Sequence, residues 1–173
     1  MAHVALHSER CVVRTYRPDD AASLADNGNN RKIWLNLRDR FPHPFTADSA
    51  LGYINHCVAN DEPSFAIEVD GKAIGGISLH LGQDVERIGA ELGYWIGEPY
   101  WGRGIATAAI GLITDHGFRE RSLIRLWAVP FATNVASCRA LEKTGFTREG
   151  TLRSSAIKDG KVFDQHMYSR IRD

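Results

Sequence analysis

Between Leu92 and Thr107 the hydrophobic period of the chain switches from that of a strand to that of a helix across a glycine-bearing loop. Leu92, Tyr94 and Ile96 alternate with Glu91, Gly93 and Trp95, so one face of a strand is apolar and the other carries a carboxylate. From Gly104 onward, Ile105, Ala108, Ala109, Leu112, Ile113 and His116 follow the i, i+3, i+4, i+7, i+8, i+11 spacing of a helix lying on a sheet. A strand that feeds a helix this directly requires an α/β or α+β architecture with helices packed on a sheet. The junction Tyr100-Trp101-Gly102-Arg103-Gly104-Ile105-Ala106-Thr107 is also suited to an anion. A helix N-terminus leaves amide N–H groups unpaired, the helix dipole adds positive charge, and glycine lets the backbone approach a phosphate closely. Arg103 adds a charge-assisted donor. The same glycines also serve a plain tight turn between strand and helix.

The remaining chain supplies both kinds of element. A strand is expected over Cys11 to Tyr16, and Pro18-Asp19-Asp20 opens a helix to about Asn27. Asn29 to Phe45 reads as a helix and a loop broken by Pro42 and Pro44, and Thr46 caps a helix reaching Asn60. Strands follow at Ser64 to Val69, Lys72 to Leu81 and Arg87 to Ile96, the first two joined at Asp70-Gly71. The inward phase of the second changes across Gly75-Gly76, which implies a bulge or bend. Ile124 to Val129 reads as a strand buried on both faces, and Asn134 to Thr144 as a helix closed by Gly145. Thr147 to Ala156 and Val162 to Arg170 flank the Lys158-Asp159-Gly160-Lys161 turn. The order is β α α α β β β α β α β β, in a length of 173 residues that suits one domain.

Charge and cysteine usage restrict the chemistry. Lys plus Arg and Asp plus Glu each total 21, so no overall field favours nucleic acid or an anionic membrane, and a charged ligand must be held locally. No apolar run has the length of a membrane span, and the sequence reads as cytoplasmic. Cys11, Cys57 and Cys138 are widely spaced and odd in number, and the histidines form no ligand pair, so neither a disulfide framework nor a metal site is expected. A dinucleotide fingerprint would need a third glycine where Thr107 stands, and a P-loop would need Lys-Ser/Thr where Ile105-Ala106 stand.

Taken together, several segments resemble the signature of GNAT-type N-acetyltransferases, most closely the RimJ/RimL-like branch. They are Glu91-Leu92-Gly93-Tyr94-Trp95-Ile96, the loop Tyr100 to Ala106, Asn134-x-x-Ser137, and Glu142-Lys143-x-Gly145-Phe146. Arg17-Pro18-Asp19-Asp20, Phe41-Pro42-x-Pro44-Phe45-Thr46 and Asp164 to Arg170 also match, so the likeness spans roughly residues 10 to 171.

The resemblance implies a single domain over residues 1–173 with a central mixed, mostly antiparallel, splayed sheet of six to seven strands flanked by helices. It implies acetyl-CoA as donor, an amine as acceptor and no metal, and it is compatible with a homodimer. The family's pyrophosphate loop, (Q/R)-x-x-G-x-(G/A), falls on Trp101 to Ala106, with Trp at its first position. The amides of residues 102 to 107 would hold the phosphates, pantetheine would run along Tyr94, Trp95 and Ile96, and Asn134 would lie near the sulfur. An N-cap role also accounts for Asn134.

Acetyl transfer to an amine needs a base for the ammonium and an acid for the departing thiolate. Glu91 is the candidate base, directly or through water, because Gly93 leaves space beside it; a solvated strand carboxylate is the plainer reading. By resemblance Ser137 is the candidate acid, with Tyr168 as a substitute. Where some members of the branch carry a catalytic glutamate, this chain has Ala156. The acceptor side is expected among Asn29 to Asn60, which offers Trp34, Arg38, Arg40, Phe41 and His43. Other readings are an acyl-CoA-binding sensor without turnover, and a nucleotide-binding loop.

Overall fold

The computed structural model describes residues 3–60 and 63–173. Its strands are β1 (Ala5–His7), β2 (Val12–Thr15), β3 (Ser64–Val69), β4 (Lys72–Leu81), β5 (Gly89–Ile96), β6 (Arg125–Ala128), β7 (Thr147–Lys158) and β8 (Lys161–Ile171). The helices are α1 (Asp20–Gly28), α2 (Arg31–Trp34), α3 (Ala47–Ala59), α4 (Ile105–Glu120) and α5 (Val135–Lys143). Among the described residues eight strands form one sheet, in the order β1-β2-β3-β4-β5-β6-β8-β7. This is one strand more than the six to seven expected. The addition is β1, whose three residues, Ala-Leu-His, are too few to show a period and are held by pairing with β2.

All neighbouring strands are antiparallel except β5 and β6. That parallel pair is short: Gly89, Ala90 and Glu91 align with Arg125, Leu126 and Trp127, and β5 then runs on to Ile96 without β6 beside it. The sheet is therefore split along one side of β5. Two apolar layers cover it. Ile77, Leu79, Leu92, Ile105, Ile113 and Leu141 belong to the core beneath α4 and α5, whereas Leu24, Phe45, Ala50 and Ile54 build a second one beneath α1 and α3.

Local signals account for most helix ends. Thr46 Oγ1 accepts the Ser49 N–H at 3.2 Å and Asn134 Oδ1 accepts the Ser137 N–H at 3.2 Å, while Gly145 takes φ +83° just beyond α5. The Arg17-Pro18-Asp19-Asp20 segment is tied down by charge. Asp20 receives both terminal nitrogens of buried Arg14, at 2.8 and 2.7 Å, and the Arg17 N–H at 2.7 Å, joining β2 to the first turn of α1.

Three expectations shift. The bulge in β4 falls at Ile74, because Ile67 aligns with Gly75 but Glu68 with Ala73. The face that α4 buries is rolled by one residue, to Ile105, Ala109, Ile110, Ile113, Thr114 and Gly117. Gly117 is responsible: a Cβ there would lie 3.1 Å from Leu79 Cδ1, so glycine permits the close approach to the sheet. Strand β6 buries only Leu126 and Ala128 fully; Arg125 reaches sideways to Glu149 on β7 at 2.7 and 2.6 Å instead of entering a core. Among the described residues no helix is long and apolar enough to cross a membrane, and Cys11, Cys57 and Cys138 are buried.

Candidate active site

The glycine loop lies at the end of the split. Gly102 and Gly104 adopt φ +72° and +73°, a left-handed conformation open to glycine at little cost. Gly104 caps α4, whose first helical bond runs from the Ala108 N–H to the Gly104 carbonyl at 3.1 Å. Helix geometry leaves the amides of Ile105, Ala106 and Thr107 without intrahelical acceptors. A Cβ on Gly102 would meet nothing within 4 Å, so the ground over the loop is open. Arg103 turns its guanidinium onto Tyr100, 5.4 Å from the ring centre. Arg10, from the β1–β2 turn, donates to the Arg103 carbonyl at 2.9 Å and brings a second cation to the loop. Trp101 has a structural task, since its indole N–H donates to the Ile96 carbonyl at 2.7 Å and closes the end of β5.

The open edge of β5 is assigned by its pairing. Gly97 donates to the Ile74 carbonyl on β4 at 2.8 Å, and the Trp95 carbonyl also faces β4, where a Cβ on Gly75 would lie 2.3 Å from it. Backbone groups alternate along a strand, so Tyr94 and Ile96 direct theirs into the split. Trp95 does not offer its backbone there. Its ring packs on Phe41 and Phe45, at 5.4 and 6.0 Å between centres, and forms part of the opposite wall.

On the α5 side the Tyr94 hydroxyl lies 2.6 Å from Ser137 Oγ. Burial pushes the Tyr94 phenol up to about 12, so it stays protonated near neutrality. The Asn134 cap fixes the turn that carries Ser137. Tyr168 is elsewhere: it is buried against the sheet, donates to Glu142 Oε1 at 2.8 Å and does not line the cleft, which removes it as a substitute for Ser137. Burial and the Glu142 contact raise its pKa as well.

On the α1–α3 side Glu91 aligns with His80 on β4 and accepts an ion-pair contact from Arg38 at Oε1. Gly93 leaves room for what lies beside it: a Cβ there would come within 3.4 Å of Ser78 Oγ and 3.5 Å of His80 Nε2. Arg40 Nη2 is 2.8 Å from the same His80 nitrogen. A guanidinium only donates, so Nε2 accepts and carries no proton. The β7–β8 tip closes this wall, because buried Lys158 reaches Asp39 at 2.7 Å and lies 3.8 Å from the centre of the Trp34 ring. Arg31 pairs with Asp159 at 2.6 Å. Lys32 and Asn30 both bind Glu98 and hold its carboxyl below the usual range.

Glu91, Ser137, Asn134, Tyr94, Ile96 and the loop from Trp101 to Thr107 all line one cleft of about 1280 Å³. Ala156 lines it too, next to Lys158, and contributes no carboxylate. Arg10, Ser78, His80 and Lys158 were not legible as site residues in the sequence, since each reaches the site through strand register or a distant turn. Among the described residues no group of three or more His, Cys, Asp or Glu is arranged to hold a metal ion.

A sheet split beside a strand, a glycine loop at the head of the following helix, and polar groups on both faces of the split define a class. Residues 10–147 match the family model described as the acetyltransferase (GNAT) domain. The chain belongs to the GNAT family of acetyltransferases and is an acyl-transferring enzyme. It is 39% identical to the N-acetyltransferase YoaA of Bacillus subtilis over 100 residues, 57% of this chain and 55% of that protein. To spermidine N(1)-acetyltransferase of Escherichia coli K12 it is 28% identical over 151 residues, 86% of this chain and 79% of that protein. The ribosomal-protein-S5-alanine acetyltransferase of Vibrio fischeri superposes with a TM-score of 0.83 at 26% identity, covering 98% of this chain and 97% of that one. GNAT acetyltransferases use acetyl-CoA, and the loop here suits its diphosphate: two left-handed glycines, unpaired first-turn amides, and Arg10 at its side.

Proposed function

We propose that this protein transfers the acetyl group of acetyl-CoA directly to a primary amine within a ternary complex, with Glu91 as base and Ser137 as acid. The observation that carries this reading is the disposition of the two groups about β5. Glu91 belongs to the face covered by α1 and α3, and Ser137 to the face covered by α5, while both open onto the cleft at the split edge. A thioester lying along Tyr94 and Ile96 would be approached by an amine from one face and lose its thiolate on the other.

The amine must first shed a proton, because a lysine-like amine has a pKa near 10 and an α-amine near 8. Glu91 takes it, directly or through water, while the Arg38 contact orients the carboxylate. The amine nitrogen then bonds to the thioester carbon, and backbone N–H groups of the split edge are the available donors to the developing oxyanion. The C–S bond breaks, and the sulfur takes the Ser137 hydroxyl proton. Tyr94, bonded to Ser137, replaces that proton, while the second proton on the amine nitrogen leaves to solvent, from which Tyr94 is reprotonated. The donor would be held by the amides of residues 102 to 107, by Arg103 and Arg10, and by Asn134 near the sulfur.

Two acceptor classes are supported by similarity: a protein N-terminal α-amine, as in the name of the Vibrio fischeri relative, and a small-molecule amine, as in that of the Escherichia coli one. The test is release of free thiol from acetyl-CoA across a panel of amines and N-terminal peptides. Amine-dependent release is expected, and Glu91→Gln should lower kcat/KM and change the shape of its pH profile. Tight binding of CoA with no amine-dependent release would replace catalysis by a sensor role, and an unchanged profile would take Glu91 out of the mechanism.

A further inference from the structure

We infer that the acceptor carries a carboxylate a few bonds from its reacting amine and that Arg40 binds it; this rests on the acetyl-transfer reading above and names the substrate class of the same cleft. Four cations line the acceptor wall from residues 31–40 and the β7–β8 tip: Lys32, Arg38, Arg40 and Lys158. Three are matched by carboxylates. Lys32 pairs with Glu98, Arg38 with Glu91 and Lys158 with Asp39. Arg40 instead gives its hydrogen bond to the unprotonated nitrogen of His80, a weaker partner for a guanidinium than a carboxylate. Its positive charge is therefore the uncompensated one of this set, and it stands beside the base.

The spacing fits a short molecule. His80 and Glu91 are direct cross-strand partners, and Gly93, two residues along β5, would bring a Cβ within 3.5 Å of the nitrogen that Arg40 occupies. The backbones of His80 and Glu91 are about one strand spacing apart, roughly 5 Å, so the base and the guanidinium that His80 holds come within reach of one short molecule. A polyamine would bring a second cation to the same guanidinium and be repelled. When a carboxylate draws Arg40 away, Ser78, 3.0 Å from His80 Nε2, remains to donate to that nitrogen.

The test uses matched acceptors, a peptide with N-terminal Asp against one with N-terminal Asn, and β-alanine against its amide. The carboxylate member of each pair should show kcat/KM about tenfold or more above its partner. Arg40→Gln should collapse that ratio towards one through KM, and Arg40→Lys should retain part of it. Binding of the N-acetylated product of each acceptor to the CoA-loaded enzyme, measured by calorimetry, gives the same comparison without turnover. Equal kcat/KM within each pair, or a preference that survives Arg40→Gln, overturns the inference even if acetyl transfer itself is confirmed. With no thiol released from any amine, an Arg40-dependent preference for the carboxylate product upholds the inference while removing the catalytic reading, and no preference overturns both.

Discussion

The hydroxyls of Tyr94 and Ser137 meet at 2.6 Å although 43 residues separate them, and the bond ties β5 to the first turn of α5 across the mouth of the split. Burial keeps the phenol protonated, so the pair holds a proton at Ser137 under all ordinary conditions. Ser137→Ala should lower kcat by about a hundredfold, the scale of general acid catalysis. Tyr94→Phe should lower it less, by about tenfold, with KM for acetyl-CoA little changed. Steady-state kinetics with an assay for free thiol checks both, and a fall confined to KM would remove the pair from proton transfer.

The loop glycines separate conformation from contact. Gly102→Ala forces a Cβ into the left-handed region with open space around it, and should cost about 1–2 kcal/mol from backbone strain alone. Gly104→Ala adds a close approach to Arg10, with Nε at 3.3 Å, and should raise KM for acetyl-CoA further. Gly102→Asn should recover part of the loss, because Asn tolerates this conformation. Thermal melts with and without CoA distinguish the contributions.

Lys158 and Asp39 are unequal partners, the lysine side chain 1% exposed and the aspartate 76%. Asp39→Ala leaves the ammonium buried over Trp34 and should cost about 1–3 kcal/mol. Lys158→Met removes the buried charge and should be near neutral in urea unfolding while loosening the segment that carries Arg38 and Arg40. Its signature is a raised KM for the amine with KM for acetyl-CoA unmoved.

Asp20→Ala should be the most damaging of these changes. Arg14 is 2% exposed and depends on Asp20 for two hydrogen bonds, so the substitution leaves part of a buried guanidinium unmatched, at about 3–5 kcal/mol. Urea unfolding measures it, and a loss below 1 kcal/mol would show that Glu68 and the Thr15 carbonyl suffice for Arg14.

Acid should destabilise the fold in two windows. His116 is held below its usual value of 6.5, chiefly by burial, so the unfolded chain takes up that proton first and stability falls as the pH drops through about 6.5. Glu149 is lowered from 4.5 to about 2 by its hydrogen bonds to Arg125 and Ser169. Its contribution is complete above about 4.5 and is lost as the pH falls towards 2. Urea midpoints followed from pH 8 to pH 3 should show both, and Glu149→Gln should flatten the lower one.

Elements marked by local chemistry were legible in the sequence. Thr46, Asn134 and Gly145 mark helix ends through bonds or dihedrals involving residues nearby, and the glycine loop marks the strand-to-helix junction within six residues. Features that depend on long-range geometry were not. The rolled face of α4 reflects Leu79 beneath Gly117, and the role of Trp95 reflects which neighbour its carbonyl faces. Glu91 and Ser137 were named from strand phase and resemblance, whereas Arg10, His80 and the Tyr94 phenol reach the site through contacts 93, 40 and 43 residues apart.

The ion pairs of Lys158 with Asp39 and Arg31 with Asp159 span 119 and 128 residues, whereas the donor loop and its strand form one short run of chain. On the reading proposed above, acceptor preference and most of donor binding are thus encoded in different stretches of the gene. Substitutions in residues 31–40 or at the hairpin tip can exchange one amine for another without altering the cofactor grip. A library confined to those two stretches is accordingly the economical way to redirect the enzyme to new acceptors.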